Sequence, residues 1–375
     1  MKRMSSAFAM TMVFVALACG QAPQSNPTAK MTDKEFAGQL EALIDKAAVE
    51  DSFSGAVLVA RDGQTIFKKA VGFANKETKQ RNQTDTRFNL GSINKSFTSV
   101  AIAQLAGQGK LGYGETIAKH LPDYPNKTVA EKVTIHQLLT HTSGLGDYLN
   151  SESLGQIKTL RDLLPLFASQ PLLFEPGQKV QYSNSGYVVL GLIIERISGR
   201  SYYDYVKENI FKPTGMTRTD SYERDQKVAD LAVGYTSMGS PGQQAASQPG
   251  SRVPNTSTLA GKGSSAGGGY STVEDMLKFA NALGSHKLLT PESTEIVFTG
   301  GGPQRPAGAG RGGYGFMQNQ MNGMRIVGNG GGGPGVNAIF RIYFGRGYTV
   351  VVLSNYDPPS AQTVAGKIQE MIIAS

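Results

Sequence analysis

An α+β fold, in which an antiparallel sheet is assembled from both ends of the chain around a mainly helical inserted region, is predicted by three observations. Near the N-terminus, "GAVLVARDGQTIFKKAVG" reads as two strands around Asp62-Gly63, a dipeptide that suits a two-residue hairpin turn. Near the C-terminus, "MRIVG", "NAIFRIYFG" and "YTVVVLSN" are three further strand-like runs, rich in β-branched and aromatic residues. Between the two ends, helical patches alternate with long loops, so the sheet has to be closed by distant segments with helices packed on it.

The elements follow in order. Thr32 and Glu35 form a capping box, after which Phe36, Leu40, Leu43, Ile44 and Ala47 recur at helical spacing. The hairpin comes next, then "GSINKS" opens an apolar helix that ends near Gly107 and Gly109. Thr134 starts a short helix that His141 ends, and "VQYSNSGYVVLGLIIERISG" runs from a loop into a second apolar helix. The Gly- and Ser-rich segments 234–269 and 300–313 read as surface loops. A last helix carries Val364, Ile368, Met371 and Ile372 on one face. No repeat or heptad run interrupts this order.

Composition narrows the class. The 375 residues are 39% hydrophobic, enough for a packed enzyme core, and 37 basic against 29 acidic side chains leave a net charge of +8. The charges are scattered, without the basic runs and interleaved aromatics of a nucleic-acid groove, so they serve solubility and weak attraction to anionic surfaces. Lys2 and Arg3, then an apolar run from Ala7 to Ala18, make residues 1–18 a secretory signal peptide, too short to span a bilayer. "VALAC" ends on Cys19, the sole cysteine, and looks like a bacterial lipobox, which predicts lipid on Cys19 and a protein anchored in the bacterial envelope, facing the periplasm. The alternative is ordinary cleavage after Ala16-Leu17-Ala18 with Cys19 a bystander. Residues 19–31, with Pro23 and Pro27, read as a tether, and 32–375 as the folded domain. One cysteine rules out an internal disulfide and any multi-cysteine metal site.

Three arrangements could supply chemistry. "GSSAG", residues 263–267, matches the G-x-S-x-G elbow and nominates Ser265, but the preceding "SRVPNTSTLAGK" is polar and broken by Pro254, where an elbow needs a buried strand. A zinc site finds no ligand spacing among His120, His136, His141 and His286. In "GSINKS", Ser92 and Lys95 share a helix face, and burial together with the positive helix end favours a neutral amine able to take the serine proton. "QYSN" adds Tyr182 and Asn184: a phenol beside a lysine can be lowered in pKa and act as acid or base, and an amide can orient the lysine and a substrate. Tyr124-Pro125-Asn126 and Tyr148-Leu149-Asn150 match the same Y-x-N triplet.

Taken together, from about Ser54 onward, the chain resembles the serine beta-lactamase and penicillin-binding superfamily, in its class C-like branch of esterases, D-amino-acid peptidases and beta-lactamase-related hydrolases. "VTIHQLLTHTSGL", "EPGQKVQYSNSGYVVLG", "KPTGMTRT" and "SAGGGYSTVEDMLKFANAL" are similar to that branch in its order. The resemblance implies a beta-lactamase/transpeptidase-like fold, Ser92 as nucleophile, Lys95 as its activator, Tyr182 as general acid/base and Asn184 as holder of Lys95 and substrate. The mechanism requires no metal or cofactor; the expected partner is a small-molecule or peptide substrate and not nucleic acid, and the chain is expected to be a monomer.

One departure concerns "GNGGGGPGVN", Gly328 to Asn337. Its G-x-G-x-x-G suggests a dinucleotide loop, but Pro334 and a strand follow where a helix is needed. The resemblance makes it a wall of the site, where a Lys- or His-led triplet is usual and Asn329-Gly330-Gly331 stands instead, with the Gly332 and Ser92 N–H groups facing an oxyanion. Losing a charged contact to a substrate carboxylate costs about 1.5–3 kcal/mol. The expectation is therefore a hydrolase of esters, or of D-amino-acid and peptidoglycan-like amides, acting through an acyl-enzyme. The alternatives are a class C-like beta-lactamase and an impaired envelope protein that binds peptidoglycan stems.

Overall fold

The computed structural model describes residues 32–149, 152–237, 251–300 and 311–374; the expected signal peptide, Cys19 and the tether lie outside the described residues. The first helix, α1 (Asp33–Val49), starts at the anticipated capping box, Thr32 Oγ1 accepting from Glu35 N while Glu35 reaches back to Thr32 N. Strands β1 (Gly55–Arg61) and β2 (Gln64–Val71) follow. Asp62 and Gly63 both take positive φ, 49° and 78°, the conformation that a tight hairpin demands of its two central residues.

The rest of the sheet comes from the far end of the chain: β3 (Arg311–Gly312), β4 (Met317–Met321), β5 (Met324–Gly333), β6 (Val336–Phe344) and β7 (Tyr348–Ser354). The spatial order is β2-β1-β7-β6-β5-β4-β3, antiparallel throughout. Gly55 pairs with Ser354 and Arg61 with Tyr348, so the two termini meet in the middle of the sheet, as the strand patterns require.

Both faces of the sheet are covered, and the two-residue period of the strands sorts side chains between them. Val57, Val59, Val350 and Val352 point into one cluster, packed under α1 and the last helix, α7 (Ser360–Ala374), whose Val364, Ile368 and Ile372 join Phe36, Leu40 and Ile44. Ala56, Leu58, Ala60, Val351 and Leu353 point into the other, under α2 (Asn94–Gly107), α4 (Asn184–Ser198), α5 (Val273–Gly284) and α6 (Pro291–Thr299). The short α3 (Ile135–Leu139) lies against α4, capped by Thr134 and followed by Thr140 and His141. Among the described residues no helix is long and apolar enough to cross a membrane.

Two expectations change. Gly328–Gly333 is not a loop but the end of β5, paired through Gly333↔Val336 with β6, and only Pro334-Gly335 turns. Segment 251–269 is not simply surface either: Ser264, Ser265 and Ala266 are buried against α2 and α4, because their backbone and hydroxyl groups satisfy polar groups there.

Candidate active site

Ser92 stands in one 3-10 turn, Gly91–Ile93, immediately before α2. This turn lies backbone to backbone on β5. Gly91 has φ 50°, and a Cβ there would sit 2.9 Å from Gly332 N; a Cβ at Gly331 would collide with the Leu90 carbonyl. The glycines of β5 are therefore a requirement of close approach. Asn89 Oδ1 supports the turn by accepting from Gly91 N at 2.9 Å.

From the first turn of α2, Lys95 reaches inward and is 2% exposed, among the largest fully buried side chains. Its Nζ donates to Asn184 Oδ1 at 2.7 Å and to the Ala266 carbonyl at 2.5 Å, and lies 3.3 Å from Ser92 Oγ. The rings of Tyr182 and Tyr187 lie 4.7 and 5.4 Å from it. Burial lowers the ammonium pKa from its usual value near 10.5 to about 7, against an opposing pull from the Asp147 carboxylate. A neutral amine can keep two N–H bonds for Asn184 and Ala266 and turn its lone pair to Ser92.

Of the three Y-x-N tyrosines, Tyr182 is the one whose hydroxyl meets Ser92 Oγ, at 2.5 Å. It is 51% exposed, at the cavity mouth, whereas Tyr124 and Tyr148 are buried. Its phenol pKa is raised, chiefly by burial and also by Asp147, with the Ser92 hydrogen bond working the other way. This differs from the expectation of a phenol lowered by lysine: loss of water around the hydroxyl outweighs the Ser92 hydrogen bond, and Lys95, brought down to about 7, is only partly charged near neutrality.

Asn184 is the first residue of α4, with Ser183 as N-cap. Its backbone N and its Nδ2 both donate to Asp147 Oδ2, at 3.0 and 2.8 Å. His141, held at φ 59°, grips the residues around Tyr182: its carbonyl accepts from Gln181 N at 2.8 Å and its Nδ1 from Ser183 N at 3.2 Å. Its ring stacks on Tyr182 at 4.6 Å. Asp147 and the grip of His141 were missed in the sequence. The motif that carried the resemblance stops at Leu145, two residues short of Asp147, and His141 gave no sign beyond its place at a helix end.

Asn329 does not face the cavity. Its Nδ2 donates to Gly315 O at 2.9 Å, Ser96 Oγ at 3.1 Å and Ser92 O at 3.3 Å, and its Oδ1 accepts from Gly330 N. The strand period turns it onto α2, so it ties β5 to the serine turn instead of offering an amide to substrate. Gly330 lies against Ile339 and Gly331 against the Leu90–Ser92 turn, and Gly332 is the member of this predicted wall that lines the cavity. Ser265 is fully buried and donates to Tyr187 O at 2.8 Å, which leaves it no route to a substrate. Of the four histidines, His120 meets Glu115, His136 meets Tyr314 and His286 meets Thr294.

Ser92, Tyr182, Asn184 and Gly332 open into a cavity of about 450 Å³. Leu149, Leu154, Ile157, Leu163, Leu231 and Val336 make much of its wall, with Arg224, Glu223 and Lys262 as its charged lining.

The family model for Beta-lactamase matches residues 40–371. Penicillin-binding protein 4* of Bacillus subtilis is 32% identical over 330 residues, which cover 84% of this chain and 71% of that protein. Among solved structures, a penicillin binding protein from Bacillus halodurans superposes with a TM-score of 0.78 at 32% identity, covering 88% of this chain and 98% of the other. A D-stereospecific amidohydrolase from Streptomyces sp. gives 0.72 at 25% identity, covering 88% and 97%. The chain therefore belongs to the beta-lactamase family, and it is a serine hydrolase of that family.

Proposed function

We propose that this family member hydrolyses esters or amides with an apolar acyl part, through an acyl-enzyme on Ser92. The observation that carries the reading is the meeting at one point of Ser92 Oγ with the buried Lys95 amine, 3.3 Å away, and the Tyr182 hydroxyl, 2.5 Å away. Neutral Lys95 takes the Ser92 proton as Oγ attacks the carbonyl. The backbone N–H groups of Ser92 and Gly332 hold the oxyanion in this reading. Tyr182, which keeps its proton near neutrality, gives it to the leaving oxygen or nitrogen and regains one by way of the Lys95 ammonium. Water, deprotonated by the same pair, then attacks the acyl carbonyl and frees Ser92.

The apolar wall supports an aliphatic or aromatic acyl group, and the stretch Asn329–Gly333 carries no charge with which to clamp a carboxylate. A carboxylate-bearing substrate would have to use Arg224 or Lys262 of the lining. Esters and D-amino-acid amides are thus favoured over beta-lactams. Residues 1–18 as signal, lipid on Cys19 and a periplasmic, envelope-anchored domain from residue 32 complete the reading, and the mass of the mature N-terminus checks them.

The test is a fluorophosphonate or penicillin probe on the parent and on Ser92→Ala, beside turnover of p-nitrophenyl acetate, nitrocefin and D-amino-acid p-nitroanilides. Labelling and turnover present in the parent and lost by at least about a thousandfold in the variant are expected. Equal labelling of both proteins would overturn the assignment, and a folded parent that neither labels nor turns over any substrate would leave a binding protein for peptidoglycan stems.

A further inference from the structure

Asn184 has two jobs in the arrangement around Ser92. It holds Lys95 through Oδ1, and it opens the 15-residue helix α4. An amide can be turned end for end at little cost in shape, and a flipped Asn184 would offer N–H to an amine that needs an acceptor. Something has to fix which end points at Lys95.

The only carboxylate acting on Lys95 among the described residues is Asp147, and its bonds do that fixing. Asp147 Oδ2 accepts from Asn184 Nδ2 at 2.8 Å and from Asn184 N at 3.0 Å, which leaves Oδ1 of the amide, and no other atom, to face Lys95. Asp147 Oδ1 accepts from Tyr148 N at 2.8 Å and Leu149 N at 3.3 Å, so the carboxylate is itself immobilised by its own loop. It also lies at the N-terminal end of α4, where a negative charge is favoured. Asp147 is exposed, so its bonds matter more than its long-range field.

We propose that Asp147 is a positioning residue that locks the orientation of Asn184 and, through it, holds Lys95 beside Ser92. This rests on the functional reading above. Two consequences separate it from a plain structural role. In Asp147→Asn a single amide oxygen must serve either the two Asn184 hydrogens or the Tyr148 and Leu149 N–H groups, and the NH2 end faces donors on the other side, so kcat falls about ten- to a hundredfold with KM little changed. The titratable neighbours of Lys95 are Tyr182, Tyr187 and, through Asn184, Asp147. Removing the last of these withdraws a charge that favours the ammonium, so the acid limb of kcat/KM moves to lower pH. A loss of general stability would lower the plateau and leave the limb in place.

The experiment measures pH profiles of kcat and kcat/KM for the parent, Asp147→Asn, Asn184→Ala and the double variant, with the ester or anilide that the parent turns over best. Fluorophosphonate labelling rates serve as a parallel readout. The expected result is a lower kcat and a down-shifted limb in Asp147→Asn, and less than a twofold further effect of Asp147→Asn in the Asn184→Ala background. Parent-like kcat and limb in a folded Asp147→Asn, or additive effects in the double variant, overturn the inference while leaving the function standing. Should Asp147→Asn not fold, Asp147→Glu keeps the charge and changes the reach, so kcat falls with the limb unmoved; parent-like kcat overturns the inference. A parent that neither labels nor turns over substrate overturns the functional reading and this inference with it.

Discussion

The two faces of the sheet are built to different rules. Under α1 and α7, Phe36, Leu40, Ile44, Val364, Ile368 and Ile372 pack on Val57, Val59, Val350 and Val352, and nothing in that cluster asks for a hydrogen bond beyond the occasional phenol. On the other side, the first turn of α2 drives Asn94, Lys95 and Ser96 into the interior, each no more than 3% exposed, and α4 adds Asn184. One face is apolar burial that stabilises without directing chemistry; the other accepts an unfavourable burial in order to have a neutral amine. The size of that concession follows from Lys95: a folded-state pKa of about 7 against about 10.5 when unfolded corresponds to about 5 kcal/mol of lost stability at acidic pH.

The largest effect that breaks the comparison is Lys95→Met. Methionine fills much the same volume and needs no proton, so it makes the active face resemble the inert one. Activity should fall by about a hundred- to ten-thousandfold, since the proposed base is gone. The stability profile should change as well. In the parent, the unfolded chain binds one more proton than the folded chain between about pH 7 and 10, so unfolding free energy rises with pH across that window and is flat, as far as Lys95 is concerned, below it. Denaturant titrations at pH 7 and pH 9 should show the parent gaining about 2 to 3 kcal/mol relative to Lys95→Met. A parallel rise in both proteins would mean that Lys95 stays charged in the folded state.

What the sequence made legible divides along the same line. The apolar face follows from period: five strands, the Asp62-Gly63 turn, the α1 capping box and the Val364–Ile372 stripe were all readable, because each is a local rule that the fold obeys. The pairing of Ser92 with Lys95 was readable for the same reason, as residues three apart where a helical turn runs into α2. Contacts made across the fold were harder. Asn329 reads as a wall residue from its place before three glycines, but only the strand period of β5 and its packing on α2 turn the side chain inward, and a run of glycines hides that period. Likewise, the raised pKa of Tyr182 follows first from the burial of its own hydroxyl, which no local pattern reports.

On the inert face, Ile368→Ala sharpens the contrast from the opposite side. Ile368 is fully buried between α1 and the sheet, remote from Ser92 on the other face. Truncation should cost about 2–5 kcal/mol, read as a lower urea midpoint with unchanged slope. The kcat and KM of the folded fraction should equal those of the parent. A selective loss of kcat would mean that the two faces are coupled through β5 or β6, and the division between a stabilising and a reacting side would fail.

Asn329 is where the faces meet, since it belongs to the sheet yet binds the turn that carries Ser92. Asp has nearly the same shape, and Asn329→Asp keeps the acceptor for Gly330 N while removing both N–H donors. The new oxygen would then face the carbonyls of Gly315 and Ser92, with only the Ser96 hydroxyl able to turn and donate, and that hydroxyl already serves Gly315. A loss of about 1–3 kcal/mol in stability is expected from unmatched acceptors. Because the strain falls on Ser92 itself, kcat/KM should drop by more than this loss of folded protein explains, unlike in Ile368→Ala. Asn329→Ser, which restores one donor on a shorter arm, should recover part of both. If Asn329→Asp lost stability alone and kept parent kcat in its folded fraction, the tie between β5 and the serine turn would be ordinary packing, and the close backbone contact of Gly91 and Gly331 would suffice to hold the nucleophile.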